Sequence, residues 1–429
     1  KQGIWAAGGI PVEFGIPATC GNIPNGVEEM KYEQVMRDIV CMSVEAVSKV
    51  HQFDGICMIA SCDNIIAGCY QAAARLDIPA MVVTGGCMGA GSHNGKRVVE
   101  ADVDVARFSG CSADELNDLE ECVCPTCGAC PSMGTANTMQ LMGEIFNLVL
   151  PGTSCIPAMD SLKIRKAREA GEYMVEMVKR NIRPSHLITR ETLLNAIIFD
   201  MAIAGSTNAL LHILAMSYEL GLGVTIEDFE AYAKDIRCIV GVIPSGPYTI
   251  NDLYYVGGAL AVMKKIFGDV PTMTGTTWKN LLEQVPDRMS DIVRELDNPH
   301  FDLPGLQILR GNLAPHGAII RPTGVPENMR VFRGRAKCFN NDTKAYQAIV
   351  AGEIVPNDVL VVRYEGCKGA PGMKELMLSN DALVAHGLHT SVGLVTDARF
   401  SGFSHGALVG HVSPEAYDGG NIALVEDGD

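Results

Sequence analysis

The first hundred residues alternate between helical and strand patterns, and this alternation limits the folds that the chain can adopt. Residues 32–50 carry apolar side chains at helical spacing, whereas residues 55–60 and 79–84 resemble short buried strands with a helical stretch between them. A strand, a helix and a strand joined by short turns predict a parallel sheet with helices on both faces. Ligands of such sheets bind beyond the carboxyl ends of the strands, where Cys62 and Asp63 would lie.

The pattern changes near Leu303. Residues 135–300 are predicted to be mainly helical, with a single later helix at 343–352. Short β-type segments separated by glycine-rich turns are predicted at 317–320, 358–363, 391–396 and 421–425. We therefore expect an α/β domain over residues 1–303 and a mostly β, barrel-like domain over residues 304–429 that lacks a closing element at its end.

Composition excludes several classes of protein. The chain has 429 residues, 47% of them hydrophobic and 20% charged, which is typical of a globular protein and long enough for two domains. Its formal net charge of −16 comes without a basic stripe, so we expect no nucleic-acid partner. No apolar run has the length of a membrane span and no leader opens the chain, so we expect a cytoplasmic protein. The 15 cysteines are accordingly not expected to form a disulfide framework.

The strongest local motif is the cysteine run Cys122, Cys124, Cys127 and Cys130. Its C-x2-C-x2-C portion is similar to part of a ferredoxin-type iron–sulfur run. Zinc is the competing ligand, although no second C-x2-C or histidine pair completes a zinc site. Buried structural thiols are the remaining interpretation.

Two shorter motifs follow predicted strands or precede predicted helices. Cys62 and Asp63 offer a soft sulfur and a hard oxygen, which suit iron and magnesium respectively, although a buried cysteine beside a turn aspartate is more common. Ser206 and Thr207 precede an apolar helix. They can cap it, which is the commoner case, or its free amides can hold an anion.

Two loops of the second region also carry reactive side chains. Ser401 lies in a turn beside Arg399, but there is no G-x-S-x-G elbow, so a hydrolase triad is not supported. Residues 363–375 form a glycine- and proline-rich loop with two candidate ligands, Glu365 and Glu375, for which a surface carboxylate is the alternative.

Taken together, these segments resemble one family, the dihydroxy-acid, sugar-acid and phosphogluconate dehydratases. The resemblance covers nearly the whole chain. It rests on CPTCGACPSMGTANTM at 124–139, AGSTNA at 204–209, GNLAP at 311–315, RYEG at 363–366, APGM at 370–373, RFSG at 399–402 and GHVSPEA at 410–416.

The resemblance implies a flavodoxin-like parallel-sheet domain followed by a β-barrel domain, assembled as a homodimer or a dimer of dimers. It implies removal of water from a 2,3-dihydroxy acid to give a 2-keto acid, with the branched-chain amino-acid enzyme as the nearest branch. The cofactors would be an iron–sulfur cluster, of 2Fe–2S or 4Fe–4S type, and Mg²⁺.

The same resemblance assigns roles to residues. Cys62 and Cys130 would ligate the cluster, and Asp63 and Glu375 would ligate Mg²⁺. Ser401, as an alkoxide, would be the catalytic base. Neighbouring cations would have to lower the pKa of its hydroxyl. The residues expected to contact substrate are Ser206, Thr207 and Arg399.

The chain departs from the family at two magnesium positions. Asn64 stands where the family has a lysine that is carbamylated to bind Mg²⁺, and Gly21 stands where it has an acid. Asn22, Cys20 or Glu28 could compensate. The family also has further segments before residue 1 and after Asp429. These departures keep two alternatives open, a sugar-acid dehydratase and a family-derived binding protein without catalysis.

Overall fold

The computed structural model describes residues 1–267, 278–286 and 290–429. Its first region is mostly helical. The elements, in chain order, are α1 (Gln2–Ala6), α2 (Lys31–His51), β1 (Ile56–Ala60), α3 (Asp63–Leu76), β2 (Ala80–Thr84), β3 (Gly91–His93), β4 (Lys96–Val98), α4 (Ala101–Phe108), α5 (Ala113–Val123), α6 (Thr135–Ile145), α7 (Ser161–Arg180), α8 (Pro184–Leu187), α9 (Arg190–Ile203), α10 (Asn208–Leu220), α11 (Ile226–Tyr232), α12 (Ile250–Tyr255), α13 (Gly258–Ile266) and α14 (Trp278–Glu283).

The predicted strand–helix–strand unit is confirmed. Strands β1 and β2 pair in parallel, with Ile56 opposite Ala80 and Ala60 opposite Thr84. Within the described residues this parallel sheet has only two strands, so it is much smaller than the flavodoxin-like sheet that the resemblance implied. The apolar residues of the predicted helical stretch 135–300 are instead buried mainly between helices, which form the largest core. Residues 268–277 and 287–289 of that stretch lie outside the described part.

Helix α3 crosses the interior against α2. Every residue from Asp63 to Ala74 is buried. A Cβ atom at Gly68 would lie only 2.6 Å from the backbone oxygen of Arg37, so the two helices can approach this closely only with glycine at that position. The crossing brings the first turn of α2 close to the start of α3.

The second region is built on one mixed sheet. Its elements are β5 (Gln307–Leu309), β6 (Gly317–Ile320), β7 (Arg335–Phe339), α15 (Asp342–Val350), β8 (Asp358–Val362), α16 (Leu378–Ala385), β9 (Gly393–Thr396) and β10 (Ala407–Ser413). The strand order is β5-β6-β10-β9-β8-β7. The four strands from β7 to β10 pair in parallel, and β6 and β5 pair antiparallel. The predicted strands at 317–320, 358–363 and 391–396 and the helix at 343–352 are confirmed.

Two predictions for this region need correction. The segment predicted as a strand at 421–425 is a 3-10 helix over Asn421–Leu424. Its carbonyl groups do not join a ladder because three of them, at Ile422, Ala423 and Val425, accept hydrogen bonds from the guanidinium of Arg363. The sheet is also open rather than barrel-like in the described residues, since β5 and β7 form its two edges.

None of the described helices is both long enough and apolar enough to span a membrane.

Candidate active site

Three cysteines meet beyond the carboxyl end of β1; we call them the thiol cluster (Cys20, Cys62 and Cys130). Cys62 is the residue before α3, and its thiol shares a hydrogen bond with the thiol of Cys20. This hydrogen bond lowers the pKa of Cys20 to about 6 and raises the pKa of Cys62. Cys130 is close enough to both to influence them electrostatically, and its Sγ accepts a hydrogen bond of 3.3 Å from the Asn22 side chain.

The backbone holds Cys130 in this place. The segment after β2 forms a bridge with residue 129, in which Met88 N–H donates to the Ala129 oxygen at 2.7 Å. Gly128, at φ +129°, makes this approach feasible because a Cβ atom there would lie 2.4 Å from the Met88 nitrogen. The C-x2-C-x2-C spacing does not define the cluster, since Cys124 and Cys127 are exposed whereas Cys130 turns inward.

Next to the thiols lies a second group, the acid–arginine cluster (Glu33, Asp63, Glu375 and Arg399). The Arg399 side chain is fully buried. Its Nη2 lies 2.7 Å from Glu33 Oε2, and its Nη1 lies 2.8 Å from Glu375 Oε1 and 3.8 Å from Asp63 Oδ2. Its Nε donates to the Met373 oxygen at 2.7 Å. Three chain segments that are far apart in sequence therefore converge on one guanidinium.

Burial determines the electrostatics of this cluster. It raises the pKa of Glu33 and of Asp63, and it raises the pKa of Glu375 to about 7. Burial alone would lower the pKa of Arg399, but the three carboxylates outweigh it and raise that pKa. The three carboxyl groups face the guanidinium of Arg399. Arg37, which pairs with Asp38, also acts electrostatically on Asp63 and opposes the rise of its pKa.

The contact between the two regions of the chain fixes the geometry of the acids. Gly372 adopts φ +105°, and a Cβ atom there would lie 1.6 Å from the backbone oxygen of Lys31. Only glycine permits this contact, which presses the loop before Glu375 onto the first turn of α2. Glu33 and Glu375 are thereby held against the same guanidinium.

The donor chemistry suits a hard divalent cation, although the acids turn toward Arg399. In the described ranges, no group of three or more His, Cys, Asp or Glu side chains is arranged as a metal site. Three buried oxygens are nevertheless unsatisfied: Asp63 Oδ1, Asn64 Oδ1 and Asn208 Oδ1 have no hydrogen-bond partner among the described residues. Carboxylate and amide oxygens are the ligands that Mg²⁺ and Ca²⁺ take.

His212 is a further buried side chain next to Asp63 whose polar atoms are unsatisfied. Its Nε2 lies 3.4 Å from Asp63 Oδ1, and burial lowers the pKa of His212 well below the ordinary range, so the ring is neutral. Neither ring nitrogen has a hydrogen-bond partner in the part of the chain that the structure describes.

Ser401 opens onto a cavity of about 240 Å³. Asn22 lines this cavity and also donates to Cys130. The turn of Ser401 packs on the segment after Cys130, because a Cβ atom at Gly402 would lie 2.9 Å from Gly134 Cα. The Phe403 N–H donates to Ser401 Oγ at 3.3 Å.

The residues predicted to contact substrate have separate positions. Thr207 lines a small pocket together with Ser401. Ser206 is fully buried, and its Oγ lies 2.7 Å from Thr135 Oγ1 and accepts the Asn208 N–H at 3.2 Å. Thr207, the residue before α10, forms no side-chain cap hydrogen bond, whereas the Ser206 hydroxyl accepts from the first amide of the helix. Glu365, the other carboxylate of the 363–375 loop, accepts hydrogen bonds from the Asp342 N–H and from Lys374.

Several residues of the site were not predicted from the sequence. Glu33 had the pattern of a polar residue in the first turn of an amphipathic helix, and His212 that of a polar residue inside an apolar helix. Cys20 was considered only as a substitute magnesium ligand, whereas it contacts the thiol of Cys62. Nothing local in the sequence indicates that Glu33 and Arg399, 366 positions apart, form a buried ion pair.

The chain is similar to known proteins over its whole length. The family description "Dihydroxy-acid/6-phosphogluconate dehydratase N-terminal" matches residues 1–281, and the corresponding C-terminal description matches residues 291–429. The chain is 41% identical to a protein of Halothermothrix orenii, 42% to one of Caldanaerobacter subterraneus and 41% to one of Ignicoccus hospitalis, each named dihydroxy-acid dehydratase. All of this chain and 79–80% of each relative are covered.

Proposed function

Because the chain belongs to the dihydroxy-acid and 6-phosphogluconate dehydratase family, we propose that it removes water from a 2,3-dihydroxy acid and releases a 2-keto acid. A branched-chain dihydroxy acid is the first candidate substrate because the similar proteins bear the name dihydroxy-acid dehydratase. A sugar acid is the alternative within the same family. The proposed working form is a homodimer or a dimer of dimers.

One observation supports this proposal: Asn22 connects the cavity of Ser401 with the thiol cluster. Asn22 touches both, since it lines the cavity that contains Ser401 and donates to Cys130 Sγ. A dehydratase needs a proton acceptor on one side of the substrate and an electrophile for the leaving hydroxyl on the other. In this proposal Ser401 is the proton acceptor, and the group held by the thiols is the electrophile.

In this proposal the chain's own side chains hold the cofactors. Cys62 and Cys130 would ligate an iron–sulfur cluster, and the adjacent Cys20 offers a third thiol. Asp63 and Glu375 would ligate Mg²⁺. When bound, the two groups would supply Lewis-acid chemistry at the C3 hydroxyl and at the C2 hydroxyl and carboxylate respectively.

Ser401 would take the proton from C2. The Phe403 N–H already points at Ser401 Oγ and would stabilise negative charge on that oxygen. The surrounding turn is kept rigid by the buried Arg321, whose guanidinium donates to the backbone oxygens of Gly402 and Ser404. A fixed turn keeps the serine oxygen in one position relative to the cavity.

An anaerobic assay tests this function. The protein is reconstituted with iron, sulfide and Mg²⁺, and 2-keto acid release is measured from dihydroxyisovalerate, gluconate and arabinonate. We expect release from dihydroxyisovalerate, and a loss of at least about 100-fold in Ser401→Ala because a general base contributes that much. Ser391→Ala, which removes a hydroxyl that donates to the Leu388 oxygen, is the matched control and should keep full activity.

The other possible results of this assay distinguish the alternative functions. Release from the sugar acids alone would identify the alternative substrate class. No release from any of the acids, with iron fully incorporated, would favour a binding protein without catalysis. Undiminished release in Ser401→Ala would refute the role of Ser401.

A further inference from the structure

Arg321 is a buried cation beside the proposed catalytic serine. It follows β6, it is only 8% exposed, and it lines the same small pocket as Ser401. Its Nη1 and Nη2 groups donate to the backbone oxygens of Gly402 and Ser404, in the turn that the Ser404 N–H closes by donating to the Ser401 oxygen. The guanidinium is thereby held against the turn of the serine.

The charge of this guanidinium has no carboxylate partner within residues 1–267, 278–286 and 290–429. Two of its five N–H donors serve the carbonyl groups of Gly402 and Ser404, which are neutral. Burial lowers the pKa of Arg321 to about 10, which still leaves the side chain protonated at neutral pH. A buried charge without a counter-charge is strongly unfavourable, so this position favours an anion nearby.

The charge of Arg321 already acts on another residue of the same loop. Burial and, after it, the positive charge of Arg321 lower the pKa of His405 to about 4, so this ring is neutral at neutral pH. Ser401 lies four residues earlier and borders the same pocket as the guanidinium. The positive potential therefore also acts on the serine hydroxyl, where it favours the ionised form.

The other titratable groups around Ser401 do not supply a free positive charge. Glu100, before α4, and Glu120, in α5, line the larger cavity of the serine and are acidic. His405 is neutral, and the guanidinium of Arg399 contacts three carboxyl groups. Among the described residues that line the two cavities of Ser401, Arg321 is the cation without a carboxylate partner.

We propose that the positive charge of Arg321 stabilises the alkoxide form of Ser401, which makes Arg321 a positioning residue of the reaction. Once the hydroxyl proton has passed to water, the serine oxygen and the guanidinium form a neutral pair. The inference rests on the proposed role of Ser401 as the base. It supplies the neighbouring cation that a serine needs in order to ionise near neutral pH.

The test replaces Ser401 by cysteine, whose ionisation can be measured at the same place without any keto-acid release. The purified chain is treated with iodoacetamide from about pH 6 to about pH 10, so that the thiolate displaces iodide, and mass spectrometry of the peptide containing position 401 gives the rate at each pH. We expect a thiol pKa of about 7.5 or lower in Ser401→Cys, below the usual value of about 8.5, since a nearby opposite charge moves a pKa by about 1–3.

Substitutions at Arg321 separate its charge from its hydrogen bonds. Arg321→Gln removes the charge and keeps an amide donor, whereas Arg321→Lys keeps the charge. Added to Ser401→Cys, the first should raise the thiol pKa by about 1 or more and the second by less than about 0.5. Arg330→Gln removes the same charge from an exposed residue and should change the thiol pKa by less than about 0.3. Circular dichroism spectra check that each variant is folded.

The outcomes separate this inference from the proposed function. In the protein that retains Ser401, Arg321→Gln should lower kcat at neutral pH about tenfold or more and move the acid limb of its pH profile to higher pH, with little change in KM. A thiol pKa of about 8.5 or higher in Ser401→Cys, or one that Arg321→Gln leaves unchanged, would overturn the role of Arg321 even if keto acid is released. A rise in KM alone would do the same and would assign Arg321 to substrate binding. A thiol pKa that depends on Arg321 in a protein that releases no keto acid would support the electrostatic effect and contradict the dehydratase proposal.

Discussion

Replacing Arg399 by methionine should destabilise the protein strongly, because it removes a guanidinium that contacts three buried carboxylates. Arg399 is 0% exposed and binds Glu33 at 2.7 Å and Glu375 at 2.8 Å. Breaking a buried ion pair by removing one partner costs about 3–5 kcal/mol, since the remaining charge stays unpaired in the interior. Methionine keeps most of the apolar volume, so the loss should come mainly from charge rather than from a cavity.

The measurement is urea unfolding followed by circular dichroism in buffer with EDTA, so that bound ions do not contribute. We expect Arg399→Met to lower the free energy of unfolding by about 3–5 kcal/mol. A cycle with Glu33→Gln then isolates the pair. The two substitutions together should cost about 2 kcal/mol less than the sum of the single ones, as expected for a hydrogen bond between charged groups. A loss below about 1 kcal/mol, or strict additivity, would refute the reasoning.

Two further predictions concern contacts outside the reacting groups. Gly372→Ala should lower the free energy of unfolding by about 2–4 kcal/mol, because a Cβ atom would collide with the Lys31 oxygen at a positive φ; an unchanged melting temperature would contradict this. Lys163 donates hydrogen bonds to Thr84 and Thr153, and burial lowers its pKa to about 8. Between pH 8 and about 10.4 the unfolded chain therefore holds a proton on this lysine that the folded chain has lost. The contribution of Lys163 to the free energy of unfolding rises with pH over this range. Chemical denaturation at pH 8 and pH 10 should therefore show the wild type gaining about 2 kcal/mol relative to Lys163→Met, whereas a constant difference would exclude the assignment.

Sequence patterns predicted the elements that depend on local spacing. The helix at 32–50 and the strands at 55–60 and 79–84 lie within two residues of α2, β1 and β2, because buried faces repeat at fixed periods along the chain. The position of Cys62 and Asp63 beyond the end of β1 follows from the same reasoning, since a strand followed directly by a helix leaves that turn at the edge of the sheet.

What could not be predicted depends on partners far away in sequence. Residues 421–425 have the composition of a strand, but their carbonyls accept hydrogen bonds from Arg363 and the segment forms a 3-10 helix over Asn421–Leu424. The sequence predicted a wider parallel sheet than the structure has, because an apolar segment that packs between helices has the same pattern as one that is buried in a sheet. Glu33 could not be recognised because its partner Arg399 comes from the other region of the chain.

The placement of the acids helps to explain how the fold tolerates their charge. Glu33 lies in the first turn of α2 and Asp63 is the first residue of α3, and the backbone amides at a helix N-terminus favour negative charge nearby. Two of the three carboxylates are therefore stabilised by their own helices in addition to Arg399. A carboxylate on the loop at Gly21 would lack this support. Helix α2, whose first residue contacts Gly372, gives Glu33 this support.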